Sequence, residues 1–181
     1  MSKQDARRRT GYSLRGQRAF KRIFNWNGER TGISAIAALS IAGVEAARST
    51  SDTFKSEDVL DFLEKDLLPI MNPYPAPRSV LVMDNAPTHT KNSIVNLCQT
   101  FGVFVLFLPP YSYDFNPIEL VFHCAKSYLK RRWGEAAANV VAAARMEEAL
   151  HSCVNADICC NLFRHCYITV SDAQRQWARD Q

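Results

Sequence analysis

The stretch that decides the fold begins with Ser79-Val80-Leu81-Val82-Met83-Asp84, a short apolar run that ends in a carboxylate. The run is rich in β-branched residues and is preceded by Pro77, a pattern typical of a buried strand. A side chain at the end of such a strand lies at the sheet edge, where the backbone is rigid and a ligand can approach. We therefore predict that Asp84 is a functional residue at a sheet edge.

A second strand-like run, Val103 to Leu108, stops at Pro109-Pro110 and is followed by Asn116-Pro117-Ile118-Glu119. Asn is a favoured N-cap and Pro is favoured at the first helical position, so a helix should start here with Glu119 in its first turn. Both acids also have a simpler interpretation. Asp84 could be a turn residue or helix cap, and Glu119 could be the reciprocal partner of Asn116 in a capping-box-like arrangement.

Thirty-four residues separate Asp84 from Glu119. At this spacing, the sequence motifs around the two acids resemble those of the catalytic domain of mariner-type transposases in the DDE transposase and integrase superfamily. They are Val80-Leu81-Val82-Met83-Asp84-Asn85-Ala86-Pro87-Thr88-His89 and Leu108-Pro109-Pro110-Tyr111-Ser112-Tyr113-Asp114-Phe115-Asn116-Pro117-Ile118-Glu119, followed at helical spacing by Phe122, Lys126 and Leu129. Tyr113, Phe115 and Phe122 depart from the usual family residues but are conservative in bulk. A weaker likeness covers most of the chain.

The resemblance implies an α/β, RNase H-like mixed sheet with flanking helices. It also implies cleavage and joining of DNA with two divalent cations, Mg²⁺ or Mn²⁺, which prefer oxygen ligands. Asp84 and Glu119 would be the catalytic residues and metal ligands, and Asn85, His89 and Asn116 would have supporting roles.

Members of the family carry a further Asp at the end of the first, central strand, just upstream of a basic segment. We predict that this strand and its Asp are missing here, and the nearest candidate, Asp5, is not preceded by an apolar run. We therefore expect a partial catalytic domain that does not cleave DNA. The alternative is a noncatalytic remnant or a co-opted nucleic-acid or protein-binding module.

Positive charge is concentrated at the start of the chain. Residues 1–30 hold nine Lys or Arg and two acidic residues, whereas the whole chain has a net charge of +4. Basic residues interleaved with aromatic ones suit phosphate contacts, so we predict DNA contacts in this segment and on the predicted helix after Pro117. The predicted contacts are Arg7, Arg8, Arg9, Arg15, Arg18, Lys126 and Lys130. The alternative is a solvated basic arm with no partner.

The remaining pattern indicates one soluble domain of ordinary composition, 47% hydrophobic and 22% charged. Neither a membrane span nor a secretory signal is evident, so we expect an intracellular protein, nuclear if eukaryotic, with reduced thiols. A homodimer is a further hypothesis. The predicted parts are a basic segment at 1–30, a catalytic core at 18–133 and a helical extension at 134–181. The predicted strands before the first acid are 18–26, 32–39 and a short one after Gly43. One helix is predicted after Ser56, and the others are predicted at 91–100, 117–133, 136–151 and 156–165. Residues 171–181 are predicted to form a polar tail that frays.

Overall fold

The computed structural model describes residues 33–84, 88–110, 112–132 and 139–181. The strands are β1 (Ser34–Leu39), β2 (Val44–Thr50), β3 (Val80–Met83) and β4 (Phe104–Phe107). The helices are α1 (Ser56–Phe62), α2 (Thr88–Thr100), α3 (Pro117–Arg132), α4 (Asn139–Ser152), α5 (Ala156–His165) and α6 (Asp172–Arg179). A π-helical turn at Leu63–Leu67 and 3₁₀ turns at Leu68–Ile70 and Tyr113–Phe115 complete the described elements. The predicted α/β class is confirmed.

The first sheet is an antiparallel hairpin. Strands β1 and β2 pair from Ser34 opposite Thr50 to Leu39 opposite Val44, with an irregularity between Ala38 and Leu39. The hairpin confirms the predicted strand at 32–39 and the short strand after Gly43. The strand predicted at 18–26 lies outside the described residues.

The second sheet is a parallel pair joined by a helical crossover. Strand β3 pairs with β4 from Val80 opposite Phe104 to Met83 opposite Phe107, and α2 connects them. Leu81 and Met83 pack against the core, whereas Val80 and Val82 are 44% and 48% exposed. The prediction of a buried strand is therefore wrong for the Val80 and Val82 face, because within the described residues only one face of this sheet is covered.

Helices cover both faces of the hairpin. On one face, Ile36 and Ala38 of β1 pack against a cluster centred on Phe62, and the inward residues of β3 and β4 pack against the same cluster. On the other face, Ala35 and Ala37 pack against a cluster formed by α3, α4 and α5. Strands β1 and β3 therefore share one hydrophobic core, although no hydrogen-bonded ladder joins the two sheets within the described residues.

The predicted single mixed sheet thus appears as two separate two-stranded sheets in the described part of the chain. The order of strands and helices, and their shared core, are compatible with an RNase H-like fold with flanking helices. Each of β1 and β3 pairs along one edge only among these residues. That leaves polar backbone groups along both strands that would be satisfied by a further strand or by water.

The C-terminal helices pack on this core. The Ser49 hydroxyl of β2 donates a 2.6 Å hydrogen bond to the Ala143 carbonyl oxygen, and the Glu147 carboxylate accepts a 2.6 Å bond from the Ser49 backbone N–H. Met146 and Leu150 of α4 are buried beside α3. The predicted helical extension is therefore anchored on the hairpin and on α3.

The prediction that residues 171–181 fray is wrong. Ser171 and Gln174 form a capping box, in which the Ser171 hydroxyl accepts from the Gln174 N–H at 3.2 Å and the Gln174 side chain accepts from the Ser171 N–H at 2.9 Å. Ala178 is buried, and Trp177 packs beside it. A capped start and one apolar face stabilise a short helix that its polar composition concealed.

All six cysteines are free thiols, as predicted, and four of them are buried. Burial raises the pKa of the Cys98 and Cys153 thiols to about 11 and that of Cys159 to about 12. Since the thiolate is the reactive form, these three cysteines should alkylate far more slowly than an ordinary cysteine at pH 8. Mass spectrometry after brief iodoacetamide treatment checks this expectation. Rapid modification of Cys159 in the folded protein would contradict it, and guanidinium-unfolded protein should react at all six positions.

Within the described residues, every helix is too short or too polar to cross a lipid bilayer.

Candidate active site

Asp84 directly follows β3, at the edge of the parallel sheet where both strands end. The Leu108 backbone N–H donates a 2.8 Å hydrogen bond to the Met83 carbonyl, so the ladder continues to the residue before Asp84. The Asp84 side chain is exposed. This position confirms the predicted carboxylate at a strand end, held by rigid backbone on one side and open to solvent on the other.

Glu119 lies in the first turn of α3, as predicted. The Asn116 side-chain oxygen accepts from the Ile118 N–H at 3.3 Å, and the Asn116 carbonyl accepts from the Glu119 N–H at 3.3 Å. Pro117 is buried and Ile118 packs on the α3–α4 core, which holds the start of this helix in place. Asn116 therefore caps the helix that carries Glu119.

Both carboxylates are available to a ligand. Asp84 and Glu119 are exposed, and among the described residues neither side chain has a hydrogen-bond or ion-pair partner. The Glu119 side chain makes no bond back to Asn116 there, so the reciprocal capping alternative is not observed. Some other acids are paired: Arg48 binds Asp61 at 2.8 Å, for example.

The donor chemistry of these two side chains fits a divalent cation. Mg²⁺ and Mn²⁺ prefer carboxylate oxygens, and both groups present only such oxygens. In the described ranges, however, no group of three or more His, Cys, Asp or Glu side chains is assembled that could hold a metal.

Residues 1–138 match the sequence model of the DDE superfamily endonucleases. The chain belongs to this family. No curated protein and no solved structure matches the chain significantly. The family match spans both Asp84 and Glu119 and ends just before α4, so the helices α4 to α6 lie beyond it.

DDE superfamily endonucleases act on DNA and generally use divalent metal ions. In this member, the sheet edge carrying Asp84 also has a basic neighbour that the sequence reasoning missed. The Lys91 ammonium lies 5.1 Å from the ring centroid of Phe107, the residue of β4 that pairs with Met83. The sequence feature that could have identified Lys91 was its position in the first turn of the helix that follows Asp84.

The predicted supporting residues near Asp84 are only partly described. Asn85 lies outside the described residues of this DDE endonuclease domain. His89 is on α2, but its side chain is outside the description. The structure therefore does not test either role.

The solvent-exposed face of α3 carries the acidic Glu119 and, further along the helix, the basic Lys126. Glu119, His123 and Lys126 are exposed at positions i, i+4 and i+7 and so lie on one face of the helix. Seven residues of helix rise about 10 Å, so Lys126 lies roughly two turns along this face from Glu119. Lys130 is on the same helix, but its side chain is not among those described. The predicted contacts Arg7, Arg8, Arg9, Arg15 and Arg18 also lie outside the described residues.

Lys126→Ala should weaken DNA binding without changing the fold, because the side chain is exposed. Loss of one phosphate contact should reduce the slope of log K against log salt by about 0.9. Fluorescence anisotropy with a labelled duplex between low and moderate salt measures this slope. Lys55→Ala, at an exposed lysine preceding α1, is the matched control and should leave the slope unchanged. An unaltered slope in Lys126→Ala would show that this face of α3 does not bind DNA.

Proposed function

We propose that this DDE superfamily endonuclease domain is a mariner-type transposase catalytic domain that binds DNA and holds Mg²⁺ or Mn²⁺ through Asp84 and Glu119. The observation that supports the proposal most directly is the state of these two acids. One ends a rigid strand and the other begins a capped helix, and both are exposed without a partner among the described residues.

The bound cations would supply an activated hydroxyl nucleophile and charge stabilisation of the leaving oxygen at a phosphodiester. The chain's own residues would position these ions and the DNA. Asp84 would bind from the sheet edge and Glu119 from the first turn of α3. Lys126, about two helical turns further along the exposed face, would bind a DNA phosphate beyond the reacting one. Asn116 would keep Glu119 oriented by capping the helix.

The charge balance of these two acids predicts weak metal occupancy. Two divalent cations carry four positive charges, and two carboxylates compensate half of that charge. With Asp84 and Glu119 as the only acidic ligands, we expect DNA nicking to be undetectable.

Nicking of a supercoiled plasmid and of a terminal-repeat duplex, with Mn²⁺ supplied, tests the function. The second arm is a chain to which an upstream strand ending in Asp has been added, and the control is Asp84→Ala in each. Cleavage that requires both Mn²⁺ and Asp84 would establish a DDE nuclease. Failure of either chain to bind DNA or Mn²⁺ would overturn the proposed function.

The second candidate, a noncatalytic DNA-binding module, is favoured by the exposed Lys126 on α3 and the basic composition of residues 1–30. It predicts salt-dependent DNA binding that persists in Asp84→Ala and in the absence of metal. A homodimer stays a prediction, which light scattering with and without DNA would test. An intracellular location, nuclear in a eukaryotic cell, is likewise proposed and would be tested by imaging a tagged chain.

A further inference from the structure

Two exposed aromatic rings lie in contact beside the start of α3. Phe115 is 47% exposed and Tyr167 is 81% exposed, the largest exposed fraction among the large hydrophobic side chains that the structure describes. Their ring centroids are 5.9 Å apart, and the ring planes are tilted by 54°. Single exposed hydrophobic side chains are common on protein surfaces, but two rings in contact form a larger aromatic surface. We call this surface the Phe115–Tyr167 pair.

The backbone holds Tyr167 rigidly in its exposed position. Tyr167 directly follows α5 and has a φ of 63°, in the left-handed region that a bulky residue seldom adopts. Its N–H donates to the Arg164 carbonyl at 3.0 Å, and the N–H of Ile168 donates to the Phe163 carbonyl at 2.9 Å. These are the two bonds of a Schellman motif, in which Gly usually occupies the position of Tyr167. A large ring kept at a strained backbone position, with little burial to offset the strain, indicates a functional role.

The packing of α5 on α3 brings this ring toward the proposed metal site. Phe115 stands four positions before Glu119, so their Cα atoms lie within about 14 Å of each other. Cys159 of α5 is buried in the same cluster as Val121 of α3, which fixes the two helices against each other. Tyr167, at the end of α5, therefore reaches Phe115 just ahead of the helix that carries Glu119.

A second exposed aromatic pair shows that ring contact alone does not mark the site. Tyr74 and Phe104 are 62% and 54% exposed, and their ring centroids are 5.8 Å apart. Phe104 pairs with Val80 at the start of the parallel sheet, whereas Asp84 follows its other end, about 13 Å along the strand. The Tyr74–Phe104 pair has similar exposure and geometry but lies away from the Asp84 edge. It provides a matched comparison within the same chain.

The charges around the Phe115–Tyr167 pair favour a neutral, flat ligand. Asp114 and Glu119 are both exposed and lie on either side of Phe115 in the sequence, so a phosphate placed on the rings would be repelled. An uncharged base is not repelled in this way. Proteins that bind unpaired strands stack successive bases on aromatic side chains, because every base has a π-face. Only an unpaired base offers such a face, and DNA is the substrate of this family.

We propose that the Phe115–Tyr167 pair is a stacking site for an unpaired base of the DNA substrate, a few nucleotides from the phosphate bound at Asp84 and Glu119. The inference rests on the proposed function and adds a feature of its substrate, namely unpaired bases next to the cleavage position. Tyr167 lies beyond residues 1–138, the part that matches the family model. The C-terminal helices thus contribute a DNA contact that the family match does not contain.

Tyr167→Gly in the full chain is the first test, with binding measured by fluorescence anisotropy. Loss of one base stack should weaken binding to a duplex with a short single-stranded tail by about 5- to 150-fold. Binding to a blunt duplex with the same paired region should not change. Because a stacked base neutralises no phosphate, the slope of log K against log salt should also stay the same. Tyr167→Phe keeps the π-face and should bind both DNAs like the unaltered chain.

The glycine variant also controls for folding. Gly adopts a positive φ without strain, so Tyr167→Gly should melt at the same temperature as the unaltered chain or higher. Weaker binding by this variant would then reflect the lost ring. Tyr74→Ala removes the comparable ring from the Tyr74–Phe104 pair and should leave binding to both DNAs unchanged.

Photocrosslinking locates the base without relying on a variant. Iodouracil placed in the tail forms a covalent bond to an aromatic side chain stacked against it when irradiated. Peptide mapping by mass spectrometry of the unaltered chain should find the crosslink on Tyr167 or Phe115. Iodouracil in the paired part of the duplex should not crosslink there.

The outcomes separate this inference from the proposed function. Weakening confined to the tailed duplex, with crosslinks to Tyr167 or Phe115, supports the inference. Unchanged binding of the tailed duplex by Tyr167→Gly, equal weakening on both DNAs, or crosslinks found only elsewhere overturn it and leave the proposed function standing. Loss of self-association in Tyr167→Gly with unchanged binding of the tailed duplex overturns it as well, and assigns the pair to a contact between two copies of the chain. Failure of the unaltered chain to bind either DNA overturns the proposed function itself.

Discussion

Asp84→Asn combined with Glu119→Gln is expected to abolish measurable Mn²⁺ binding by the folded chain. Both substitutions keep side-chain size and remove negative charge. Because hard divalent cations depend on carboxylate oxygens, loss of two such ligands should lower affinity by about 100-fold or more if each contributes at least tenfold. Neither side chain has a bonded partner among the described residues, so the fold should be little affected.

Isothermal titration with Mn²⁺ and a thermal melt of the same samples check this result together. The unaltered chain should melt at a higher temperature when Mn²⁺ is added, because a ligand that binds the folded state stabilises it. The double variant should lose that increase while keeping its metal-free melting temperature. Asp52→Asn with Glu148→Gln, at two other exposed acids, is the matched control. A double variant that still binds Mn²⁺ like the control would contradict the assignment of both ligands.

The sequence predicted the two acidic positions well because both depend on local rules. A β-branched run between turn residues placed Asp84 after β3, and an Asn cap followed by Pro placed Glu119 in the first turn of α3. These signals extend over only a few residues. The order of strands and helices followed from the same short-range patterns.

What the sequence could not predict depends on contacts between distant segments. Val82 and Phe104 have the composition of buried strand residues, yet about half of each side chain is exposed. Their exposure is decided by which helix packs on which face of the sheet, and periodicity does not report this. Lys91 was missed for the same reason, since its place beside Phe107 is a tertiary contact across the β3–β4 crossover.

For helix α6, the prediction from the sequence failed for a different reason. Its polar composition outweighed the capping pair Ser171 and Gln174 in the prediction, although that pair was readable three residues apart. The stabilising contacts of Trp177 and Ala178 come from the β1–β2 turn and from α5, more than ten residues away along the chain. Local capping and distant packing together produce a helix where composition predicted fraying.

Phe62→Ala is expected to lower the free energy of unfolding by about 3–5 kcal/mol, the usual cost of a large-to-small change in a core. Phe62 is 2% exposed and ends α1, where it is packed with Leu67 and Ile94. The same cluster receives side chains from β1 and from β3. Because no hydrogen-bonded ladder joins the two sheets within the described residues, this cluster is a principal contact between them, and a cavity there weakens their association.

Urea unfolding followed by circular dichroism measures the effect. With a slope of about 2 kcal/mol per molar urea, a loss of 3 kcal/mol moves the midpoint down by about 1.5 M. Phe104→Ala is the matched control, since Phe104 is 54% exposed and its main described aromatic contact is Tyr74, with ring centroids 5.8 Å apart. That variant should lose less than about 1 kcal/mol. Equal losses in the two variants would show that the Phe62 cluster does not join the two sheets. A typical domain is stable by roughly 5–15 kcal/mol, so the expected loss in Phe62→Ala would leave a marginally folded protein in which this cluster no longer holds β1 and β3 together.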